Sequence, residues 1–109
     1  MTVRMLADAA CLTPITLPDP DRSVDGVYIG DLLSWVMGRA EEGNAWITIM
    51  SNTNVVAVAT LADVSCVILA EGVTPDEGVT AIAEAKGINL LSSSESTYSI
   101  AKKLSSLGL

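Results

Sequence analysis

Three polar crests hold most of the residues in this chain that could do chemistry. Ser51-Asn52-Thr53-Asn54 follows the apolar run Ala45–Met50, Glu71-Gly72-Val73-Thr74 follows Ser65–Ala70, and Ser92-Ser93-Ser94 follows Ile88–Leu91. Gly30-Asp31, after Val27-Tyr28-Ile29, is a smaller fourth. Hydroxyls, side-chain amides and backbone N–H groups at a helix entrance suit a phosphate or a carboxylate. The candidate ligand-binding residues are therefore Gly30, Asp31, Ser51, Asn52, Thr53, Asn54, Gly72, Ser92, Ser93 and Ser94. Ordinary capping is the competing explanation, since Ser, Thr and Asn are preferred N-caps whatever a protein does. Ser51–Asn54 leads the set, because four consecutive polar residues exceed what one cap needs.

The groups that catalysis usually requires are missing. The chain has no His, which removes the commonest general base and the commonest neutral metal ligand. Cys11 and Cys66 stand far apart and cannot build a structural zinc site. There is no Gly-x-x-x-x-Gly-Lys-Ser/Thr loop, no Gly-x-Gly-x-x-Gly after a strand, and no Gly-x-Ser-x-Gly. Glu41-Glu42 reads as a solvated helix end. No catalytic residue, metal site or cofactor is assigned, and the expectation is a non-enzyme. Tyr28, Trp35 and Trp46 could stack on a base, but core or interface anchoring is the simpler role. Arg22 either reaches an anion or pairs with Asp19, Asp21 or Asp25.

Charge narrows the partners. The formal net charge is −7, and of six cations only Lys102 and Lys103 are adjacent. Nucleic-acid binding needs a basic stripe that releases counterions, and an anionic membrane surface needs the same. Both are excluded as partners. One nucleotide held by backbone N–H groups is not. No apolar run approaches the ~20 residues of a membrane span, and the N-terminus lacks the apolar core of a leader. A soluble, cytoplasmic protein is expected, with both cysteines as buried thiols.

The crests must be positioned by the elements between them. The 109 residues suit a single domain, 1–109. Half the residues are apolar but none is Phe, so Val, Ile, Leu and Ala fill the core. So small and apolar a domain leaves surface uncovered, and a homodimer is the usual remedy. Helical spacing of Val3, Leu6, Ala7 and Ala10 predicts a helix over 2–10. Pro14 confines Leu12–Ile15 to an edge strand or strap. The loop Leu17–Ser23 reads as the most mobile segment. Val27–Ile29 is a strand, and Asp31 then caps a helix carrying Leu32, Val36 and Ala40. Gly43 suits a left-handed cap after that helix.

Val55–Ala62 is β-branched enough for a hairpin strand, but its Ala content, with Asn52 or Asn54 as cap, favours a helix. Apolar on every side, such a helix would also offer an interface. Thr74-Pro75-Asp76-Glu77 has the form of a capping box before Val79, Ile82, Ala83 and Ala85. A last helix, about 95–107, is capped by Ser94 and turns Tyr98, Ile100, Ala101 and Leu104 inward. Strand and helix alternate with short connections, so the fold class is α/β with a small, mainly parallel sheet flanked by helices. If the strands are parallel, every crest emerges on one edge of the sheet, where open α/β sheets bind ligands.

A family resemblance adds to this. The segment Asp25-Gly26-Val27-Tyr28-Ile29-Gly30-Asp31-Leu32-Leu33-Ser34-Trp35-Val36-Met37, with Trp46-Ile47-Thr48 and Asn54-Val55-Val56-Ala57-Val58-Ala59, resembles a stand-alone DRTGG domain. Such domains are similar to the N-terminal domain of HPr kinase/phosphorylase, and they also occur beside CBS domains in regulated pyrophosphatases. The resemblance implies a regulatory, dimer-forming module, in some relatives near an adenine nucleotide site, without the kinase domain. The run that names the family is absent here. Asp21-Arg22-Ser23 echoes part of it, and the crest Ser51–Asn54 is the alternative equivalent.

Overall fold

The computed structural model describes residues 1–109. The elements are α1 (Val3–Ala9), β1 (Thr13–Thr16), β2 (Gly26–Ile29), α2 (Leu33–Arg39), β3 (Asn44–Thr48), α3 (Asn54–Ala62), β4 (Cys66–Leu69), α4 (Val79–Ala85), β5 (Leu90–Ser92) and α5 (Thr97–Ser106). One five-stranded sheet has the order β1-β5-β4-β3-β2. Strands β2 to β5 are parallel neighbours and β1 pairs antiparallel with β5. The mainly parallel α/β sheet expected from the sequence is the fold observed.

Alternation along the strands divides the core in two. Ala45, Ile47, Cys66, Ile68 and Leu91 pack with Val3, Leu6 and Ala7 of α1 and Ile100 and Leu104 of α5. Trp46, Val67, Leu69 and Leu90 pack with Val36 of α2, Val55, Val56, Val58 and Ala59 of α3, and Val79 and Ala83 of α4. Thus α2, α3 and α4 share one face, because their three crossovers step the same way across the sheet. The connection after β5 leaves to the other face.

The helical reading of Val55–Ala62 holds, and Pro14 does sit in an edge strand. Several local readings fail where a tertiary partner outweighs a local signal. Thr74-Pro75-Asp76-Glu77 is not a capping box: α4 begins at Val79 behind Gly78 (φ 88°). The Asp76 carboxylate instead accepts from Ser51 Oγ at 2.8 Å. Asp31 caps no helix, and Ser96 rather than Ser94 caps α5 by accepting from Ser99 N at 3.1 Å. Gly43 does adopt positive φ, but in the turn before β3, where α2 has already ended at Arg39. Tyr98 points outward at 75% exposure, and Cys11 is an exposed thiol while Cys66 is buried. Burial pushes the Cys66 thiol up to about 12.

The segment Leu17–Ser23 is pinned, contrary to its loop-like composition. Buried Asn89 accepts from Asp19 N at 3.0 Å and donates to Asp19 O at 2.7 Å and Ser65 O at 3.0 Å. Arg22 finds none of its three expected partners. Its guanidinium pairs with the Asp63 carboxylate at 2.9 Å and donates to Asp63 O at 2.7 Å. Arg4, not Arg22, pairs with Asp21.

Candidate functional site

Parallel pairing puts the four crests in a row along the carboxyl ends of β2, β3, β4 and β5. Most of their polar groups are spent joining one crest to the next. At the β2 end, Asp31 Oδ1 accepts from Thr48 Oγ1 at 2.8 Å and from Ile49 N at 2.9 Å. Gly30 N donates to Ile47 O, and Gly30 O accepts from the indole N–H of Trp46 at 2.9 Å. Trp46 is wholly buried, so it is a core anchor and cannot stack on a ligand. A Cβ on Gly30 would stand 2.9 Å from the Tyr28 ring, which explains the glycine there.

The ends of β4 and β5 are where the connections part to opposite faces, the usual position of a ligand crevice in an open sheet. Here the loops close on each other. Gly72 N donates to Ser93 O at 3.0 Å and Glu71 N to Glu95 O at 2.8 Å. The Glu71 carboxylate accepts from Thr97 N at the entrance of α5, at 2.9 Å. Ser93 is buried and its Oγ accepts from Glu95 N, while Ser92 Oγ reaches Thr13 O at 3.4 Å. Lys103 donates to Glu95 at 2.5 Å, and that bond raises the lysine pKa. Ser94 is exposed.

The β3 crest keeps the most donors. Ser51 Oγ is tied to Asp76, and Asn52 Oδ1 accepts from Asn54 N at 2.9 Å. The backbone N–H groups of Ser51, Asn52 and Thr53 make no hydrogen bond within the chain. They stand where the partial positive end of α3 adds to their pull on an anion. Beside them, a groove of about 280 Å³ runs between α3 and α4, lined by Val56, Ala57, Leu61 and Ile82 with Thr53, Thr60 and Lys86.

The ten candidate residues thus share an edge but not a role. Gly30, Asp31, Gly72, Ser92 and Ser93 are engaged in joining elements, and the free donors concentrate at Ser51–Asn54. The edge is also acidic. Asp31, Glu71, Asp76 and Glu95 all lie on it, and the sequence offered no signal for Glu71, Asp76 or Glu95 as crest partners. Asp21-Arg22-Ser23 sits at the opposite edge, where Arg22 meets Asp63 ahead of β4 and Ser23 O accepts from Ser65 Oγ. The two stretches echoing the family's naming run are therefore not together. No group of three or more His, Cys, Asp or Glu side chains is arranged to hold a metal, and no helix is long and apolar enough to cross a membrane.

Residues 19–107 match the model of the DRTGG domain family. The chain belongs to the DRTGG family. One solved structure it resembles is the CBS and DRTGG regulatory region of a Clostridium perfringens pyrophosphatase, complexed with the activator diadenosine tetraphosphate. The TM-score is 0.71 at 14% identity, covering 91% of this DRTGG chain and 44% of that one. This chain therefore spans less than half the length of that structure's chain. No curated protein matches the sequence.

Proposed function

We propose that this DRTGG domain is a non-catalytic regulatory module that acts as a homodimer and binds a small anionic ligand, an adenine nucleotide by preference, at the carboxyl ends of its strands. The observation that carries the reading is the row of three uncommitted N–H groups at Ser51, Asn52 and Thr53, ahead of α3. Family membership supports regulation as the role, and the diadenosine tetraphosphate bound by the pyrophosphatase region supports the ligand class. On an acidic edge, recognition must come from directed N–H groups rather than from a positive field. Thermal unfolding with AMP, ADP, ATP and diadenosine tetraphosphate tests it. A ligand at 100 times its Kd stabilises by ~2.7 kcal/mol. No shift with any of them at millimolar concentration overturns the ligand.

A second reading, a protein-interaction module without a ligand, draws on the closure between β4 and β5. There the crest groups already satisfy one another. On that reading, Asn52→Ala, which removes the acceptor of Asn54 N, costs about 1 kcal/mol, as a lost cap does, and leaves partner binding intact; the Asn54 side chain, expected as the alternative cap, lies within α3 and makes no such bond.

A further inference from the structure

The connection from β4 to α4 is held by hydrogen bonds more than by packing. Ala70, just after β4, is buried, but within Glu71–Gly78 only Val73 and Pro75 are even half-buried. Such a segment gains little from apolar burial and belongs to the least stable part of a fold. The amides of Thr74, Glu77 and Gly78 donate no hydrogen bond within the chain. Positive φ marks both ends, at Glu71 (61°) and Gly72 (72°) and again at Gly78 (88°). A Cβ on either glycine would meet nothing within 4 Å, so glycine serves the backbone conformation there and not a lack of space. Glu71 has no such freedom. A side chain at φ 61° persists only where its surroundings hold it.

Two carboxylates do the holding. Glu71 accepts from Thr97 N at the entrance of α5, at 2.9 Å, and Asp76 accepts from Ser51 Oγ at 2.8 Å. Backbone bonds accompany each: Glu71 N to Glu95 O at 2.8 Å, Gly72 N to Ser93 O at 3.0 Å, and Asp76 N to Ser51 O at 2.9 Å. The segment therefore runs from the β5 crest to the β3 crest, across the end of β4, which lies between them in the sheet. It covers the place where the connections part to opposite faces. It carries Glu71, Asp76 and Glu77 and no cation.

We infer that Glu71–Gly78 is a hinged lid, fastened by the Glu71 and Asp76 carboxylates, that swings off the end of β4 when an anion settles on the amides of Ser51, Asn52 and Thr53. The trigger rests on the ligand reading above; the lid does not. Asp76 holds the Ser51 hydroxyl beside those amides, so an arriving anion brings a second negative charge to the same few atoms. Asp76 sits on the movable segment and the amides sit on the scaffold, so letting Asp76 go relieves the repulsion. Opening also frees the Ser51 hydroxyl to donate to the ligand. By reciprocity, whatever loosens the lid tightens the anion. The empty and occupied domains then differ in shape at an exposed segment, which gives a regulatory module its two states.

Amide exchange on the intact chain tests both parts. With Glu71→Ala and Asp76→Ala combined, the amides of Glu71, Gly72 and Asp76 should exchange at least about tenfold faster, while those of Val67–Leu69 in β4 stay as they were. Unaltered exchange at the three lid amides overturns the lid. Equal acceleration in Val67–Leu69 is general loosening and overturns it too. In the unsubstituted chain, ATP at millimolar concentration should speed exchange at Gly72 and Asp76. ATP that raises the melting temperature yet leaves those amides unchanged or slower overturns the trigger. The double variant should bind ATP at least about twofold more tightly, and unchanged or weaker binding overturns the coupling. If neither ATP nor the other nucleotides bind, the trigger falls with the proposed function, and exchange in the double variant still decides the lid.

Discussion

Removing the Asp31 carboxylate separates a structural role at the candidate site from a ligand-binding one. Asp31 Oδ1 accepts two hydrogen bonds, from Thr48 Oγ1 and Ile49 N. Thr48 is only 1% exposed, so Asp31→Ala leaves its hydroxyl without an acceptor where water cannot easily replace it. A hydrogen bond to a charged group is worth about 1.5–3 kcal/mol, and the exposed Ile49 N–H, which water can reach, adds little. A loss of ~2 kcal/mol follows, equivalent to about 8 °C in Tm for a domain of this size. Asp31→Asn keeps an acceptor oxygen and should cost about half as much. Urea unfolding followed by Trp fluorescence measures both. If Asp31→Ala changes stability by less than ~0.5 kcal/mol, the bonding argument is wrong. If Asp31→Asn weakens nucleotide binding tenfold or more, the residue contacts ligand and its assignment to the scaffold is wrong.

Asp76→Asn removes a negative charge hydrogen-bonded to the Ser51 hydroxyl, beside the N–H groups proposed to hold an anion, and through a largely aqueous medium this should tighten nucleotide binding roughly two- to fivefold by calorimetry. Asn89→Ala deletes three hydrogen bonds around a buried amide and should destabilise by about 2–4 kcal/mol, with proteolysis then appearing in Leu17–Ser23. A disulfide reagent near pH 8 should label one thiol per native chain, Cys11, and two in denaturant. Because the folded-state pKa of Cys66 is raised to about 12 from 9.0, the folded chain keeps a proton that the unfolded chain releases. That stabilisation is complete below pH 9 and is lost as pH rises toward 12, so alkaline unfolding should shift upward in pH for Cys66→Ala if the cavity cost is small.

What was legible in the sequence came from local rules that the tertiary structure left alone. Pro14 marked an edge because it can donate no ladder bond anywhere. Ala57, Ala59 and Ala62 outvoted the valines of α3 because a buried helix and a buried strand differ little in apolar content but much in length. Two of the misreadings lie where a residue with a local preference found a partner distant in sequence. The stretch read as a capping box instead turns Asp76 toward Ser51, and Arg22 leaves its neighbouring acids for Asp63, 41 residues away. Site prediction was legible to the same extent. Parallel strands made the shared edge foreseeable, whereas the hydrogen bonds that occupy half of it depend on Glu71 and Glu95, whose pairing no spacing records.

The order of the strands bears on how the chain is made. β2, β3, β4 and β5 are added to the sheet in the order in which they are synthesised, each beside the last. β1 comes first from the ribosome yet pairs with the final strand, Thr13 meeting Ser92 across 79 residues. The N-terminal strand must therefore wait for nearly the whole chain, while the parallel units can assemble behind it as they emerge. Pro14, which blunts the finished edge, also protects this strand from wrong partners during the wait.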